Sequence, residues 1–290
     1  MNRNPLRSFA RSAHAPSRIA HPVTVHLRRM YVDCRHGQLH VHTAFPSSGG
    51  FDELTPLVCI HPAPGSGRVF RGLIAELGRE RSAYALDLPG YGESDAPDSP
   101  PTVADYAAAC VDFLDSLRLR QVDVLGYQGG SQVAAELALA RPEQVRRVVL
   151  LGMPAFDAGD REQYAARPWP LPLRDDGTQL AEEWARLRRT RGVLATASSL
   201  GRELGESLRA GERAGWGAAA MAAYAAGERL PLLRRPTLLL RSRDEFAEMT
   251  ARAEGWLPEV RRAELSGHTA AVLESDPAEI AGLVKDFLDI

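Results

Sequence analysis

The sequence predicts an α/β protein: a mostly parallel sheet of eight strands with helices on both faces. Two observations lead there. Apolar runs of strand length alternate with segments of helical spacing through most of the 290 residues, which is the rhythm of strand–helix–strand units. Pro56–Ile60 is a continuous apolar run rather than an alternating one, as expected of a strand buried on both faces.

The elements follow in order. Met30–Arg35 and Gln38–Phe45 flank a His36-Gly37 turn and read as an antiparallel hairpin. Pro56–Ile60 is the third strand, Val69–Gly78 has helical spacing, and Ala83–Leu88 is the next strand. Thr102 and Asp105 make a capping box before a helix that runs to about Leu117. Its apolar stripe includes Tyr106, Cys110, Phe113, Leu114 and Leu117. Strands follow at Val122–Leu125, Val145–Leu151, Pro236–Leu240 and Val260–Leu265, with helices at Phe246–Trp256 and Pro277–Leu288. Residues 157–233 break this rhythm. They are rich in Ala, Arg and Glu, helical in character, and contain the cluster Pro168, Pro170 and Pro172 near their start. They read as a helical lid inserted into a core made of residues 29–156 and 234–290. Residues 1–28 read as a flexible basic leader. Arg3, Arg7, Arg11 and Arg18 occur there without an acid or an apolar stretch, so it is not a secretory signal.

Composition narrows the partners. The formal net charge is −2, which gives no global attraction to nucleic acid or to an anionic membrane. No run approaches the roughly 18 apolar residues of a membrane span. The cysteines, Cys34, Cys59 and Cys110, are odd in number and scattered, which argues against a disulfide framework and for a reducing, cytoplasmic setting. The expected partner is a small-molecule substrate; the oligomeric state stays open, a homodimer included. No metal, nucleotide or flavin motif is visible and no cofactor is expected. His40 and His42 share a strand face without a visible third ligand. Gly65-Ser66-Gly67 lacks the Lys-Ser/Thr that follows a phosphate loop.

Val122–Gly152 carries the most information. An apolar strand runs into Gly126-Tyr127-Gln128-Gly129-Gly130, and a helical Ala/Leu pattern follows. At such a sharp turn the strand and helix backbones approach too closely for side chains at Gly126 and Gly130. The central residue, Gln128, is held in a strained conformation with its side chain aimed into a cavity. Ser131, the nearest hydroxyl, falls in the first turn of the helix and reads as structural.

Four segments together resemble the α/β-hydrolase fold family: Cys59–Gly67 (CIHPAPGSG), Asp87–Pro97 (DLPGYGESDAP), the turn around Gln128, and Ser266–Leu288 (SGHTAAVLESDPAEIAGLVKDFL). The resemblance covers nearly everything after Met30. The chain is similar to a subgroup with a GYHTGS-like turn that lacks the serine, through GYQGGS, GMPAFDAGDREQY and PWPLPLRDDG. The resemblance implies a base at His268, on the loop that faces the turn. It implies an acid after the seventh strand, where counting selects Glu245 and Asp244 stands one residue away; Asp157 is the other location. It implies anion-stabilising backbone N–H groups from Gly129 and from Ala63 in the His61-Pro62-Ala63 loop, where Pro62 replaces the family glycine. Tyr127 packs beside the turn. Trp169, Trp184, Trp216, Met221 and Tyr224 of the insertion either line an apolar pocket or pack its helices.

An amide cannot act as the attacking group in acyl transfer. With Gln128 where the family serine stands, a covalent intermediate through that residue is excluded. The reading adopted is a hydrolase of a small ester- or lactone-like substrate, with His268 as general base and the backbone donors as an oxyanion hole. Two alternatives stay open: a cofactor-free lyase, isomerase, decarboxylase or oxygenase that uses the same histidine, or a non-catalytic small-molecule-binding protein.

Overall fold

The structure, a computed structural model, describes residues 25–47, 53–165, 174–192, 195–265 and 271–290. Eight strands form one sheet in the order β1-β2-β4-β3-β5-β6-β7-β8. They are β1 (Val25–Cys34), β2 (Gly37–Pro46), β3 (Leu54–Ile60), β4 (Arg81–Leu86), β5 (Val122–Tyr127), β6 (Val145–Leu151), β7 (Thr237–Ser242) and β8 (Val260–Leu265). β1 and β2 form the antiparallel hairpin and β2 pairs antiparallel with β4. The remaining pairs are parallel. This is the α/β-hydrolase architecture that the sequence led us to expect.

The helices are α1 (Arg71–Leu77), α2 (Val103–Ser116), α3 (Gly129–Ala140), α4 (Ala158–Ala165), α5 (Thr178–Arg191), α6 (Ala197–Ala210), α7 (Trp216–Ala223), α8 (Ala226–Arg229), α9 (Ala247–Glu254), α10 (Val272–Ser275) and α11 (Pro277–Leu288). α2 and α3 cover one face of the sheet, burying Val41, Val58, Val124 and Val148 against Phe113, Leu114 and Val133. α1 and α11 cover the other, where Cys59, Leu125 and Val149 meet Leu73, Ile74 and Val284. Burial on both sides explains why β3 reads as a continuous apolar run. The capping box before α2 is formed as expected: the Thr102 side chain accepts from the Asp105 N–H, and the Asp105 carboxylate accepts from the Thr102 N–H. α4 to α8 all fall between β6 and β7.

One boundary is corrected. The leader does not extend to residue 28, because Val25–Arg28 pair with Thr43–Pro46 in the β1–β2 ladder. On an edge strand, His26, Leu27, Arg28 and Arg29 are all exposed, so the period that marks a strand is hidden there. β8, at the opposite edge, likewise exposes Arg261 and Arg262. Among the described residues no helix is long and apolar enough to cross a membrane. His268, Trp169 and the prolines Pro168, Pro170 and Pro172 lie outside the described residues.

Candidate active site

β5 ends against α3 in a turn whose tightness the glycines make possible. A Cβ on Gly126 would sit 2.3 Å from the Gly130 carbonyl oxygen, and one on Gly130 would sit 2.1 Å from the Ile60 oxygen. Gln128 stands between them at φ 48° and ψ −119°, a conformation that L side chains rarely adopt. Its N–H donates to Leu151 O at 2.7 Å and its carbonyl accepts from Ser131 N at 2.8 Å. Ser131 is fully buried and its hydroxyl donates to Gly126 O at 2.8 Å. It locks the turn from behind, as the sequence reading held.

The Gln128 side chain meets a carboxylate. Its Nε2 donates to Asp244 Oδ2 at 3.2 Å. Asp244 lies just beyond β7, and its Oδ2 also accepts from Ser242 Oγ at 3.0 Å while Oδ1 accepts from Phe246 N at 2.9 Å. Gly152, at φ 65°, packs against both: a Cβ there would lie 3.2 Å from Asp244 Oδ2 and 3.5 Å from Gln128 Cγ. Burial pushes the Asp244 carboxyl up; Gln128, Phe246 and Ser242 oppose this by donating to it, and the neighbouring Glu245 charge adds to it. Counting along the loop selected Glu245, but the structure turns Asp244 toward Gln128 and leaves Glu245 lining a cavity beside it. Asp157 is elsewhere. Its side chain is half exposed and pairs with Arg252 at 3.0 Å, and it accepts from Asp160 N at the start of α4.

Gln128 lies where two cavities adjoin. The larger, of about 110 Å³, is also bounded by Ser66, Tyr127, Glu206, Ala271 and Glu274. The smaller, of about 60 Å³, adds Gly129, Gln132, Tyr164, Met221 and Phe246. Ala63, Arg191 and Glu203 border both. The insertion supplies charge here as well as apolar surface. Arg191 at the end of α5 forms a bidentate pair with Glu203 of α6, and Glu206 accepts from Ser66 Oγ at 2.8 Å. Sequence reasoning missed these residues, since arginines and glutamates in an Arg/Glu-rich helix read as solvated faces. It also missed Gln132, which is fully buried. The Gln132 Nε2 donates to the carbonyls of Pro154 and Met221, which fixes the amide orientation and leaves Oε1 without a donor among the described residues.

Of the other expected residues, Ala63 and Gly129 line the cavities beside Gln128, and Tyr127 is buried with burial raising its phenol. His61 is fully buried and bonded to backbone at both nitrogens. Leu88 N donates to Nε2 at 2.8 Å, so Nδ1 carries the proton and donates to Pro62 O at 3.0 Å. Burial keeps its imidazole low and neutral. Its evident work is to tie the loop after β3 to the loop after β4.

His40 and His42 do have a third neighbour. Antiparallel pairing of β2 with β4 brings Asp87 beside them, with donor atoms of all three within 4.8 Å of one another. The set fits a cation poorly. Asp87 Oδ2 already accepts from His40 Nδ1 at 2.8 Å and from Glu93 N at 2.9 Å, and Oδ1 accepts from Gly67 N at 2.7 Å. Arg68 and Arg71 add positive charge next to His42.

Comparison with known proteins bears on this site. A sequence profile described as the Alpha/beta hydrolase family matches residues 57–283. The chain belongs to the alpha/beta hydrolase family. It is 34% identical over 110 residues to a 2-hydroxymuconate semialdehyde hydrolase of Pseudomonas sp. (strain CF600), covering 37% of this chain and 38% of that one. It is 28% identical over 163 residues to Epoxide hydrolase 4 of Homo sapiens, covering 53% and 42%. The chain thus matches less than half the length of these two relatives. Among solved structures, an esterase, RhEst1, from Rhodococcus sp. ECU1013 superposes with a TM-score of 0.74 at 22% identity, covering 91% of this chain and 98% of that one. An enol-lactonase from Burkholderia xenovorans LB400 gives 0.69 at 16%, covering 90% and 100%. At these identities the structural likeness shows the fold.

Proposed function

We propose that the protein is a hydrolase of a small ester- or lactone-like substrate that works without a covalent intermediate, as a member of a subgroup whose sharp turn lacks the serine. The observation that carries this reading is Gln128, strained at the turn and bonded through Nε2 to Asp244 where two cavities meet. With Nε2 engaged, Oε1 is left as an acceptor that can orient a water. His268 takes one proton from that water. The hydroxide oxygen adds to the substrate carbonyl carbon, and the oxyanion lies against the N–H groups of Ala63 and Gly129. Collapse breaks the bond to the leaving alkoxide, which takes the proton back from His268. Support for His268 comes from its flanks: β8 ends at Leu265, and Ala271 lines the larger cavity. The named activities of the relatives, a semialdehyde hydrolase, an epoxide hydrolase, an esterase and an enol-lactonase, fit a hydrolytic reaction.

The second reading is acid–base chemistry without hydrolysis, and Asp244 favours it: a carboxyl raised by burial beside the turn can itself carry a proton. Single-turnover reaction of aryl esters and lactones in H₂¹⁸O separates the two. Hydrolysis by direct water attack places the label in the acid product, with no acyl adduct on the protein and no labelling by a fluorophosphonate. An acyl adduct, or fluorophosphonate labelling at Ser131, overturns the site. Loss of His268 as His268→Ala should abolish turnover.

A further inference from the structure

A second cleft opens on the α1 side of the hairpin, bounded by β1, β2, the turn that leads into α1, and α6. Its volume is about 650 Å³, and five of its nine lining residues are Arg28, Arg29, Arg68, Arg71 and Arg202, with no acid among them. Arg28, Arg29 and Arg71 have no carboxylate partner among the described residues. Arg202 pairs with Glu274 at 2.9 Å and Arg68 approaches Glu206 at 3.7 Å, both outside the cleft lining. The floor includes His42, which is only 6% exposed and whose Nε2 has no hydrogen-bond partner among the described residues. In the β1–β2 register Arg29 stands directly opposite His42, so both side chains rise from the same face.

We propose that this cleft binds a phosphate-class dianion, with Arg29, Arg68, Arg71 and Arg202 as its guanidinium donors and His42 beneath them. Like charges gathered in one concavity repel one another, and an anion removes that repulsion. The guanidinium fork matches the paired oxygens of a phosphate. A cation is the wrong sign for this cleft. Residues 1–24 make a poor occupant because they contain four arginines and no acid. Burial foremost, with His40, Arg68 and Arg71 adding and Asp87 opposing, pulls the His42 imidazole down to about 4. It is therefore neutral at physiological pH, and its protonation is what an added anion favours.

The cleft adjoins the proposed active site, because Arg68 and Arg202 border the larger cavity too, but its anion binding does not rest on the reaction proposed above. Isothermal titration of the wild-type chain with inorganic pyrophosphate in about 0.1 M chloride tests it. Saturable binding is expected, together with a shift of the His42 Nε2 resonance in ¹⁵N spectra as pyrophosphate is added. The exposed double variant Arg29→Gln/Arg71→Gln should weaken binding by about tenfold or more with an unchanged circular dichroism spectrum. A short alkyl diphosphate identifies the source. Binding tighter than pyrophosphate, with inhibition of turnover, marks the anion as a handle on a larger molecule; equal binding marks a free anion. Absence of binding, affinity unchanged in the double variant, or a His42 resonance that does not move would each overturn the site.

Discussion

At Gln128 the backbone adopts φ 48° and ψ −119°, a strain of order 1–3 kcal/mol for a residue with a side chain. The turn is packed too closely for side chains at its glycines: a Cβ on Gly130 would sit 2.1 Å from Ile60 O. Gly130→Ala should therefore cost about 3 kcal/mol through overpacking, read by denaturant unfolding. Asp244 belongs to the same scale. Its folded carboxyl is raised, so the folded state holds a proton that the unfolded state has already released, and stability falls as pH rises through that window. Asp244→Asn should accordingly be more stable than the wild type at neutral pH, with the advantage shrinking as pH drops toward the unfolded carboxyl range. It should also lose turnover: an asparagine amide facing Gln128 favours the flipped Gln128 orientation and reverses the polarity offered to a water. Thermal unfolding across pH and initial rates check both. The position of Gln128 is legible in the sequence because two glycines and a strand–helix pattern leave one geometry. The choice between Asp244 and Glu245 is not, since only the loop's path decides which of two adjacent side chains turns inward.

Between elements, Asp87 acts as a junction. It joins β2 through His40, the turn before α1 through Gly67, and its own loop through Glu93. Burial alone would raise this carboxyl, but the hydrogen bond from His40 foremost, with those from the N–H groups of Glu93 and Gly67, holds it below its usual range. The sign is the reverse of Asp244: Asp87 contributes stability above the ordinary carboxyl range and loses it as pH falls through its own lower value. Asp87→Ala should cost about 3 kcal/mol, because it strips His40 Nδ1 and the N–H groups of Gly67 and Glu93 of their buried acceptor. Asp87→Asn should flatten the acid limb of the stability curve, as monitored by fluorescence-detected unfolding from neutral pH downward. The local pattern around α2 could be read from the chain, because Thr102 and Asp105 are three residues apart. The link from His40 to Asp87 spans 47 residues and depends on β2 pairing with β4, which no local pattern encodes.

Across the whole molecule, stability is unevenly shared. The sheet is packed on both faces by extended apolar clusters. α5 and α6 rest on a small satellite of Leu187, Ala195 and Leu200 with Trp184 and Leu204, reinforced by the Arg191–Glu203 pair. Hydrogen exchange should find the α5–α6 amides opening at lower free energy than those of β3, β5 and β6; equal protection would show the insertion to be one cooperative unit with the sheet. That the insertion falls between the sixth and seventh strands was legible from the broken alternation, whereas its charged contribution to the cavities was not. The two rims of the sheet have a consequence for assembly. Arg28 and Arg29 project from one outermost strand and Arg261 and Arg262 from the other. Copies that tried to continue the sheet from molecule to molecule would bring guanidinium against guanidinium, so the hydrogen-bonding edges are shielded from runaway strand addition.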